Sequence, residues 1–264
     1  LVVCVADDPA MHSSQNEQDS RHYARAAKLP MLEPSDSGEC RDFTRLAYEI
    51  SEAFDTPVLL RSCTRVAHAQ SLVELKPREE RPLKEYKKDP AKYVMNPGYG
   101  FRRHGVVEAR LKALAAYSEN SPLNFEEMGD TAVGFVCAGS VYEYVKEAFP
   151  NASVFKVGMS FPMPIEKLRA FAAKVERLYV AEELDGVMET ELRAAGIRVD
   201  GGKDRFGCIG ELSQKKIEAA MGEKAPETET FDEPVPPRPP VMCAGCPHRG
   251  VFFTLNKLKL TVLG

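Results

Sequence analysis

The sequence lacks the features that mark several large classes of protein. Its 264 residues show no basic excess, with 35 Lys and Arg against 39 Asp and Glu and a net charge of −4. Nucleic-acid-binding domains usually carry such an excess, so we expect no nucleic-acid partner. No run of about 18 apolar residues occurs, so we expect neither a transmembrane helix nor a membrane partner.

Cysteine is sparse and, with one exception, scattered. Seven cysteines are present, and only Cys243 and Cys246 form a close pair. An odd, dispersed set favours reduced thiols over a disulfide framework. The sequence also lacks the basic start, apolar core and cleavage site of a signal peptide. These absences predict a cytoplasmic protein.

An initiator methionine is missing too, and both ends of the sequence are apolar runs. Leu1–Ala6 has the pattern of a buried strand, and Leu258–Gly264 is a second strand-like run that stops where a loop is expected. Both ends therefore resemble cuts through a domain. We expect the chain to be an internal fragment of a longer protein.

The residues that are present predict an α/β fold. Hydrophobic residues make up 44% of the chain and charged residues 28%, which is enough apolar surface for a sizeable core. Apolar strands at Leu1–Ala6 and Pro57–Leu60 flank an amphipathic helix that ends near Phe54. Strands that are apolar on both faces are typical of parallel sheets covered by helices. Because the alternation returns from Asp130 to Ile197, we expect two parallel-sheet α/β units.

Two further stretches differ in composition from these units. Residues 76–129 start with a charged stretch that lacks apolar periodicity and continue into a helix, which predicts a connector. Residues 201–241 contain six prolines, from Pro226 to Pro240, among acidic residues. Such a composition predicts a semi-rigid linker. A new unit is expected to begin at Met242.

A polar run follows the first predicted strand, from Asp7 to Arg21. Ligands of open α/β sheets bind beyond the carboxyl ends of the strands, so this run is expected at the mouth of a site. Its amides and carboxylates can fix a polar substrate or order water; they are Gln15, Asn16, Glu17, Gln18 and Asp19. The alternative is a solvated loop with a helix cap at Asp19 or Ser20.

Two shorter segments also follow predicted strands. In Thr64–His68, Arg65 can pair with an anion and His68 can move a proton near neutral pH, unless the two form a satisfied polar pair at a strand end. The Gly139-Ser140 turn precedes a helix whose N-terminus can hold phosphate, although tight packing explains the glycine equally well.

The segment Cys243–Arg249 contains the one close cysteine pair. Two thiolates at this spacing can bind zinc, bind an iron–sulfur cluster or form a redox disulfide. Zinc or a cluster requires further ligands, of which His248 is one candidate for zinc. The alternative is a pair of free thiols.

Taken together, these segments resemble the alpha subunits of indolepyruvate ferredoxin oxidoreductases, which are thiamine-diphosphate-dependent 2-oxoacid ferredoxin oxidoreductases. The resemblance covers nearly the whole chain, and its first and last motifs are long and specific. The motifs that carry it are Ala6–Arg21, Met31–Ser37, Phe54–Arg61, Thr64–His68, Tyr142–Glu147, Val180–Asp185 and Pro239–Arg249.

The resemblance implies an order of domains. In sequence they are the second half of a pyrimidine-binding domain (residues 1–75), the connector with its helix (76–129), a transketolase-C-terminal-like domain (130–200), the Pro-rich linker (201–241) and the start of a diphosphate-binding domain (242–264).

The resemblance also implies an activity. Members of this branch oxidatively decarboxylate indolepyruvate or other aryl 2-oxoacids with coenzyme A, which yields the arylacetyl-CoA and CO2, and pass the electrons through iron–sulfur clusters to ferredoxin. The implied cofactors are thiamine diphosphate, Mg2+ and [4Fe–4S] clusters, held mostly outside these 264 residues. The implied partners are a beta subunit, ferredoxin, coenzyme A and the aryl 2-oxoacid.

The same resemblance implies the site residues. Residues implied to orient the oxoacid carboxylate or to order the loop are Gln15, Asn16, Gln18 and Arg21. Residues implied to lie on the cofactor side are Glu17, Asp19, Arg65, His68, His248 and Arg249. Cys243 and Cys246 match the pair that begins the ligand set of the cluster nearest the cofactor in related oxidoreductases.

The sequence departs from the family pattern at the cysteine pair and at its ends. The usual Cys-Pro-Gly-Cys is Cys243-Ala-Gly-Cys246 here. In the family, the glutamate that activates the aminopyrimidine lies before Leu1, and the Gly-Asp motif for magnesium and diphosphate lies after Gly264. We therefore expect these residues alone to bind thiamine diphosphate weakly and to turn over no substrate.

Other functions stay open on the sequence alone. Relatives that use pyruvate or 2-oxoglutarate share the fold. The second α/β unit and its Gly139-Ser140 turn are compatible with a coenzyme A ligase-like module or a non-catalytic acyl-binding module. Cys243, Cys246 and His248 are compatible with a zinc-knuckle adaptor, which predicts stoichiometric zinc without iron.

Overall fold

The computed structural model describes residues 1–12, 14–78, 80, 82–83, 85–223, 242 and 245–261. The chain separates into two compact units, Leu1–Ala225 and Pro226–Gly264. Among the described residues, the first unit contains two sheets of four strands each. None of the helices in these residues is long and apolar enough to span a membrane.

The first part of the chain supplies three strands of one sheet and the helices around it. In order, the elements are β1 (Val2–Asp7), α1 (Ser20–Ala27), β2 (Met31–Leu32), α2 (Ser37–Phe54), β3 (Val58–Cys63), α3 (Thr64–His68), α4 (Pro90–Tyr93) and α5 (Pro97–Asn120).

The remainder supplies the second sheet and a strand that returns to the first. These elements are β4 (Asn124–Glu127), β5 (Asp130–Cys137), α6 (Ser140–Ala148), β6 (Ala152–Val157), β7 (Met159–Phe161), α7 (Ile165–Ala172), β8 (Arg177–Ala181), α8 (Val187–Ala194), α9 (Lys203–Phe206), α10 (Gln214–Ala220) and α11 (His248–Lys257).

The two sheets are mostly parallel, which confirms the predicted α/β class. The first has the order β1-β3-β2-β7, with β7 antiparallel to β2, and the second has the order β4-β6-β5-β8, with β4 antiparallel to β6. The sequence did not predict the two antiparallel edge strands. Strand β4 has a single apolar side chain, Phe125, and β7 has three residues, so neither carries a periodic signal.

Helix α2 forms because its start is capped and one of its faces is apolar. The Asp36 carboxylate accepts a hydrogen bond from the Glu39 backbone N–H at 2.7 Å. The Glu39 carboxylate in turn accepts one from the backbone N–H of Ser35 at 2.8 Å, as in a capping box. Phe43 and Ile50 on the apolar face are buried against the first sheet. The predicted helix is therefore confirmed.

Helices cover both faces of the second sheet. On one face, Leu168 of α7 and Met188 of α8 belong to the main hydrophobic core. On the other, Val145 of α6 and Ile217 of α10 form a second core. Burial on both faces explains the apolar runs within β5, β6 and β8.

The structure corrects the start of the predicted linker over residues 201–241. Residues 201–223 contain α9 and α10, whose Phe206 and Ile217 are buried in the core of the second sheet. The prolines that suggested a linker begin at Pro226, beyond these helices. Residues 224–241 lie outside the described residues, so the linker there stays a prediction.

The second unit contains helix α11 in its described part. Residues 258–261 form a turn and irregular chain rather than the expected strand, and residues 262–264 lie outside the described residues. An apolar run forms a stable strand only beside a partner strand, and none pairs with it among the described residues. The assignment of residues 242–264 to a diphosphate-binding domain stays a prediction.

Candidate active site

The polar loop (residues 8–19) joins β1 to α1, and both of its ends are held by one buried carboxylate. Asp7, the last residue of β1, accepts hydrogen bonds from the Ser20 backbone N–H at 2.9 Å and from the Ser20 hydroxyl at 2.5 Å. Asp7 also accepts a bond from Arg61 Nε at 2.5 Å. The loop therefore starts and ends at the same point, at the carboxyl end of β1.

Arg21 connects the end of the polar loop to the second sheet. Its Nε lies 2.9 Å from Asp19 Oδ1, and its Nη1 lies 2.5 Å from Glu182 Oε2, just past the end of β8. Its Nη2 donates to Asp19 and to the backbone carbonyls of Glu183 and Asp185 at 2.5, 2.8 and 2.9 Å. All three nitrogens of this buried guanidinium are thus bonded within the protein.

A second buried arginine lies beside the first. Arg61 of β3 forms ion pairs with Asp7 at 2.5 Å and Glu33 at 2.6 Å, and its Nη2 is 3.8 Å from Asp19. Burial works against the charge on Arg61, but the surrounding carboxylates raise its pKa above the ordinary value. The two arginines and their carboxylates form a buried charge network at the carboxyl ends of β1, β3 and β8.

The network lowers the pKa of Asp19. Burial of this carboxyl group favours the neutral form, but the hydrogen bonds and positive charge of Arg21 outweigh it, with a further contribution from Arg61. The net result is a pKa of about 2 instead of 3.8. Asp19 is therefore ionised over the whole physiological pH range.

We expect the unfolding free energy to decrease between about pH 4 and pH 2 as Asp19 takes up a proton. Because the folded pKa is depressed, the stabilisation is present above the unfolded pKa and is lost as the pH falls through the folded pKa. The shift corresponds to about 2 kcal/mol. Asp19→Asn should be less stable at pH 7 and should lose less stability than the wild type over this range. Denaturant titrations at each pH measure the free energy of unfolding of the wild type and the variant. If both lose the same stability over this pH range, the lowered pKa of Asp19 is contradicted.

The outer side of the polar loop is held by partly exposed charged groups. His12 Nδ1 is 2.9 Å from Asp8, and His12 Nε2 is 3.4 Å from Glu211. The hydrogen bond with Asp8 is the largest of the interactions that raise the pKa of His12. Arg65 Nε donates to Glu211 at 2.6 Å. Glu211 thus joins the loop to α3.

Three side-chain amides of the polar loop are exposed, with no hydrogen bond to the residues that the structure describes. They are those of Gln15, Asn16 and Gln18. Gln18 lines a cavity of about 90 Å³ together with Glu17 and Asp185. Glu17 itself accepts the backbone N–H of Ala10 at 2.7 Å. A loop that is anchored at its ends therefore presents free amide groups.

The other predicted site residues lie in different surroundings. His68 is exposed, with Nδ1 2.8 Å from the carbonyl oxygen of Thr64. In the second unit, Cys246 Sγ is 3.4 Å from His248 Nδ1, and the side chain of Arg249 is exposed on α11. Cys243 lies outside the described residues, so its predicted metal-binding role is a prediction only.

The Gly139-Ser140 turn does not offer room for phosphate. It lines a cavity of about 20 Å³ together with Glu33 and Glu182. A space of this size holds about one water molecule. The charged groups that line it, Glu33 and Glu182, are already paired with Arg61 and Arg21, so the cavity offers a phosphate neither room nor a free cationic partner among its lining residues.

Sequence reasoning gave no anchoring role to the residues that hold the polar loop in place. They are Asp7, Glu33, Arg61, Glu182 and Glu211. A signal was present for two of them, because Asp7 and Arg61 are charged residues directly inside or after apolar strands. Buried charges are rare unless they are paired, so a partner was to be expected.

One group of three side chains among the described residues has ligand atoms within 4.8 Å of one another, as a metal ion requires. These side chains are Asp19, His22 and Asp185. Arg21 already occupies the Asp19 carboxylate through Nε and Nη2. The positive guanidinium at this position disfavours a cation.

Comparison with known proteins defines the class of this chain. No protein-family model matches it. Indolepyruvate oxidoreductase subunit IorA of Methanothermobacter thermautotrophicus is 36% identical over 275 residues, which cover 97% of this chain and 44% of that protein. The subunit of the same name from Pyrococcus abyssi is 38% identical over 286 residues, with coverage of 97% and 44%. The chain thus spans less than half the length of these relatives.

A solved structure has the same fold. The 2-oxoglutarate:ferredoxin oxidoreductase from Magnetococcus marinus, with 2-oxoglutarate, coenzyme A and succinyl-CoA bound, matches with a TM-score of 0.52 and 15% sequence identity. The match covers 80% of this chain and 43% of that chain. At this identity the likeness shows the fold alone. By sequence, the chain belongs with the indolepyruvate oxidoreductase subunits IorA, which confirms the resemblance seen in the motifs.

Proposed function

We propose that the chain is part of an enzyme that oxidatively decarboxylates aryl 2-oxoacids such as indolepyruvate. In this reaction coenzyme A takes up the acyl group and ferredoxin takes up the electrons. The observation that carries the proposal is the polar loop, which is anchored at both ends and presents the free amides of Gln15, Asn16 and Gln18. The names of the relatives support the substrate.

The amides on the polar loop suit the polar end of a 2-oxoacid. The N–H groups of Gln15, Asn16 and Gln18 can donate hydrogen bonds to the carboxylate and the carbonyl oxygen of the substrate. Thiamine diphosphate, when bound, supplies the nucleophilic carbon and accepts the electron pair released by decarboxylation. The loop orients the substrate toward that carbon, and its anchored ends keep the orientation fixed.

Two roles were expected for Arg21, orienting the oxoacid carboxylate or ordering the polar loop, and we assign it the second. Its guanidinium is bonded on all three nitrogens within the protein, so it orders the polar loop instead of holding the substrate carboxylate. Asp19 acts through the same ion pair. The remaining residues proposed for the cofactor side are Glu17, Arg65, His68, His248 and Arg249.

The donors in the second unit suit a metal site. The thiol of Cys246 and the imidazole of His248 lie within 3.4 Å of each other, and both are ligands that bind zinc or iron. We propose that Cys243 and Cys246 begin the ligand set of a [4Fe–4S] cluster. Four predictions accompany this proposal. They are a beta subunit as partner, Mg2+ as counter-ion of the diphosphate, a cytoplasmic location and inactivity of the isolated 264 residues.

The reaction is tested on the enzyme as it is purified from cells, with any subunit that accompanies it. Ferredoxin reduction is followed with thiamine diphosphate, coenzyme A and a series of 2-oxoacids. We expect the highest kcat/KM with indolepyruvate and other aryl 2-oxoacids. A higher value with 2-oxoglutarate or pyruvate would overturn the substrate assignment, and no reduction with any 2-oxoacid would overturn the reaction.

Metal analysis of the same preparation tests the cysteine pair. We expect iron and acid-labile sulfide, and a lower content of both in the variant Cys246→Ser. Stoichiometric zinc without iron or sulfide would favour the zinc-knuckle adaptor.

A further inference from the structure

Glu182 lies at the junction of the two sheets, where it contacts Arg21. It follows the last residue of β8, and its side chain is buried. Its carboxylate accepts hydrogen bonds from the backbone N–H groups of Met188 at 3.0 Å and Glu189 at 2.9 Å. Helix α8 has no capping side chain at Gly186, so Glu182 serves as its cap.

The same carboxylate forms the ion pair with Arg21. Its two bonds to the first turn of α8 fix the carboxylate on a rigid element of the second sheet. Arg21 also forms an ion pair with Asp19, which is the last residue of the polar loop. One continuous series of buried hydrogen bonds therefore connects α8 to the loop.

We propose that Glu182 is a positioning residue for the polar loop and acts on the substrate through Arg21 and Asp19. The inference rests on the proposed function, in which this loop orients the 2-oxoacid. Without the Glu182 charge, Asp19 is the one charged partner left to Arg21 at hydrogen-bond distance among the described residues. The ion pair that connects Arg21 to the cap of α8 is then lost. The end of the loop beside Gln18 then loses its fixed position.

The test is the variant Glu182→Gln in the purified enzyme, with kcat and both KM values measured. We expect the KM for the 2-oxoacid to rise and kcat to fall, so that kcat/KM drops about 10- to 100-fold, because a small misplacement of an orienting group costs that much. The KM for coenzyme A should stay unchanged. A purely structural role would lower the active fraction, and hence kcat, with both KM values unchanged; that result would overturn the inference.

The chain offers a matched control on the same two helices. Glu191 of α8 pairs with Arg25 of α1 at 2.9 Å, and this second pair is partly exposed. Glu191→Gln should leave the KM for the 2-oxoacid unchanged. If it raises that KM as much as Glu182→Gln does, the contact between the helices matters in general and the specific role of Glu182 is refuted.

Hydrogen exchange gives a readout that does not depend on activity. Peptides from the polar loop should exchange faster in Glu182→Gln than in the wild type or in Glu191→Gln. If Glu182→Gln fails to fold, Arg21→Lys replaces it, because a lysine keeps the charge but cannot bridge both carboxylates and the two carbonyls. Unchanged loop exchange in the folded variant overturns the positioning role. A wild-type enzyme without 2-oxoacid turnover instead refutes the proposed function, and the exchange data still decide the role of Glu182.

Discussion

Replacing Arg61 by alanine is expected to lower the free energy of unfolding by about 3–5 kcal/mol, the cost of removing one partner of a buried ion pair. Arg61 is the shared partner of Asp7 and Glu33, and all three side chains are buried. Without it, these two buried carboxylates lose the positive partner that they share. Chemical denaturation at pH 7 measures the loss.

Arg65 provides the control for this experiment. It lies four residues further along the chain and forms a comparable ion pair with Glu211, but its side chain is 54% exposed. Arg65→Ala should therefore lose much less stability than Arg61→Ala, because water replaces the partner of an exposed charge. Equal losses in the two variants would show that the buried network is not what stabilises this part of the molecule.

Replacing Asn16 by alanine in the purified enzyme is expected to lower kcat/KM for the 2-oxoacid by about 10- to 100-fold, since a hydrogen bond to a charged group contributes about 1.5–3 kcal/mol. Gln15→Ala and Gln18→Ala should act in the same direction. The free energy of unfolding should stay within about 0.5 kcal/mol of the wild type, because these amides are exposed and make no hydrogen bond with a described residue.

Gln70 supplies a matched amide away from the polar loop. It is exposed and follows α3, outside the proposed substrate site. Gln70→Ala should leave kcat/KM unchanged. If Asn16→Ala also leaves it unchanged, the loop does not contact the substrate and the proposed orientation by its amides is wrong.

The strands and helices that the sequence predicted best are those with a strong periodic signal. The apolar runs around Leu60, Val136 and Val180 became buried strands, and the apolar face of Phe43 and Ile50 became the buried side of α2. Elements with few residues or little apolar character were not predicted, as β4 and β7 show. Periodicity needs several turns or alternations before it can be distinguished from chance.

The candidate site was located from the sequence but not understood in detail. The position of the polar loop followed from its place after an apolar strand, and the amides of Gln15 and Asn16 are indeed exposed. The sequence could not decide between the two roles expected for Arg21, because its partner Glu182 is 161 residues away. Only packing of the two sheets brings these groups together.

By itself, the sequence determined the α/β class, the family and the place of the polar loop, because these depend on local patterns and on motifs. The tertiary structure alone decided which charged residues are buried and which partners neutralise them. The physical reason is that burial of a charge is tolerated only beside an opposite charge with good hydrogen bonds. In this chain those opposite charges come from the ends of strands in both sheets, which lie close only after folding.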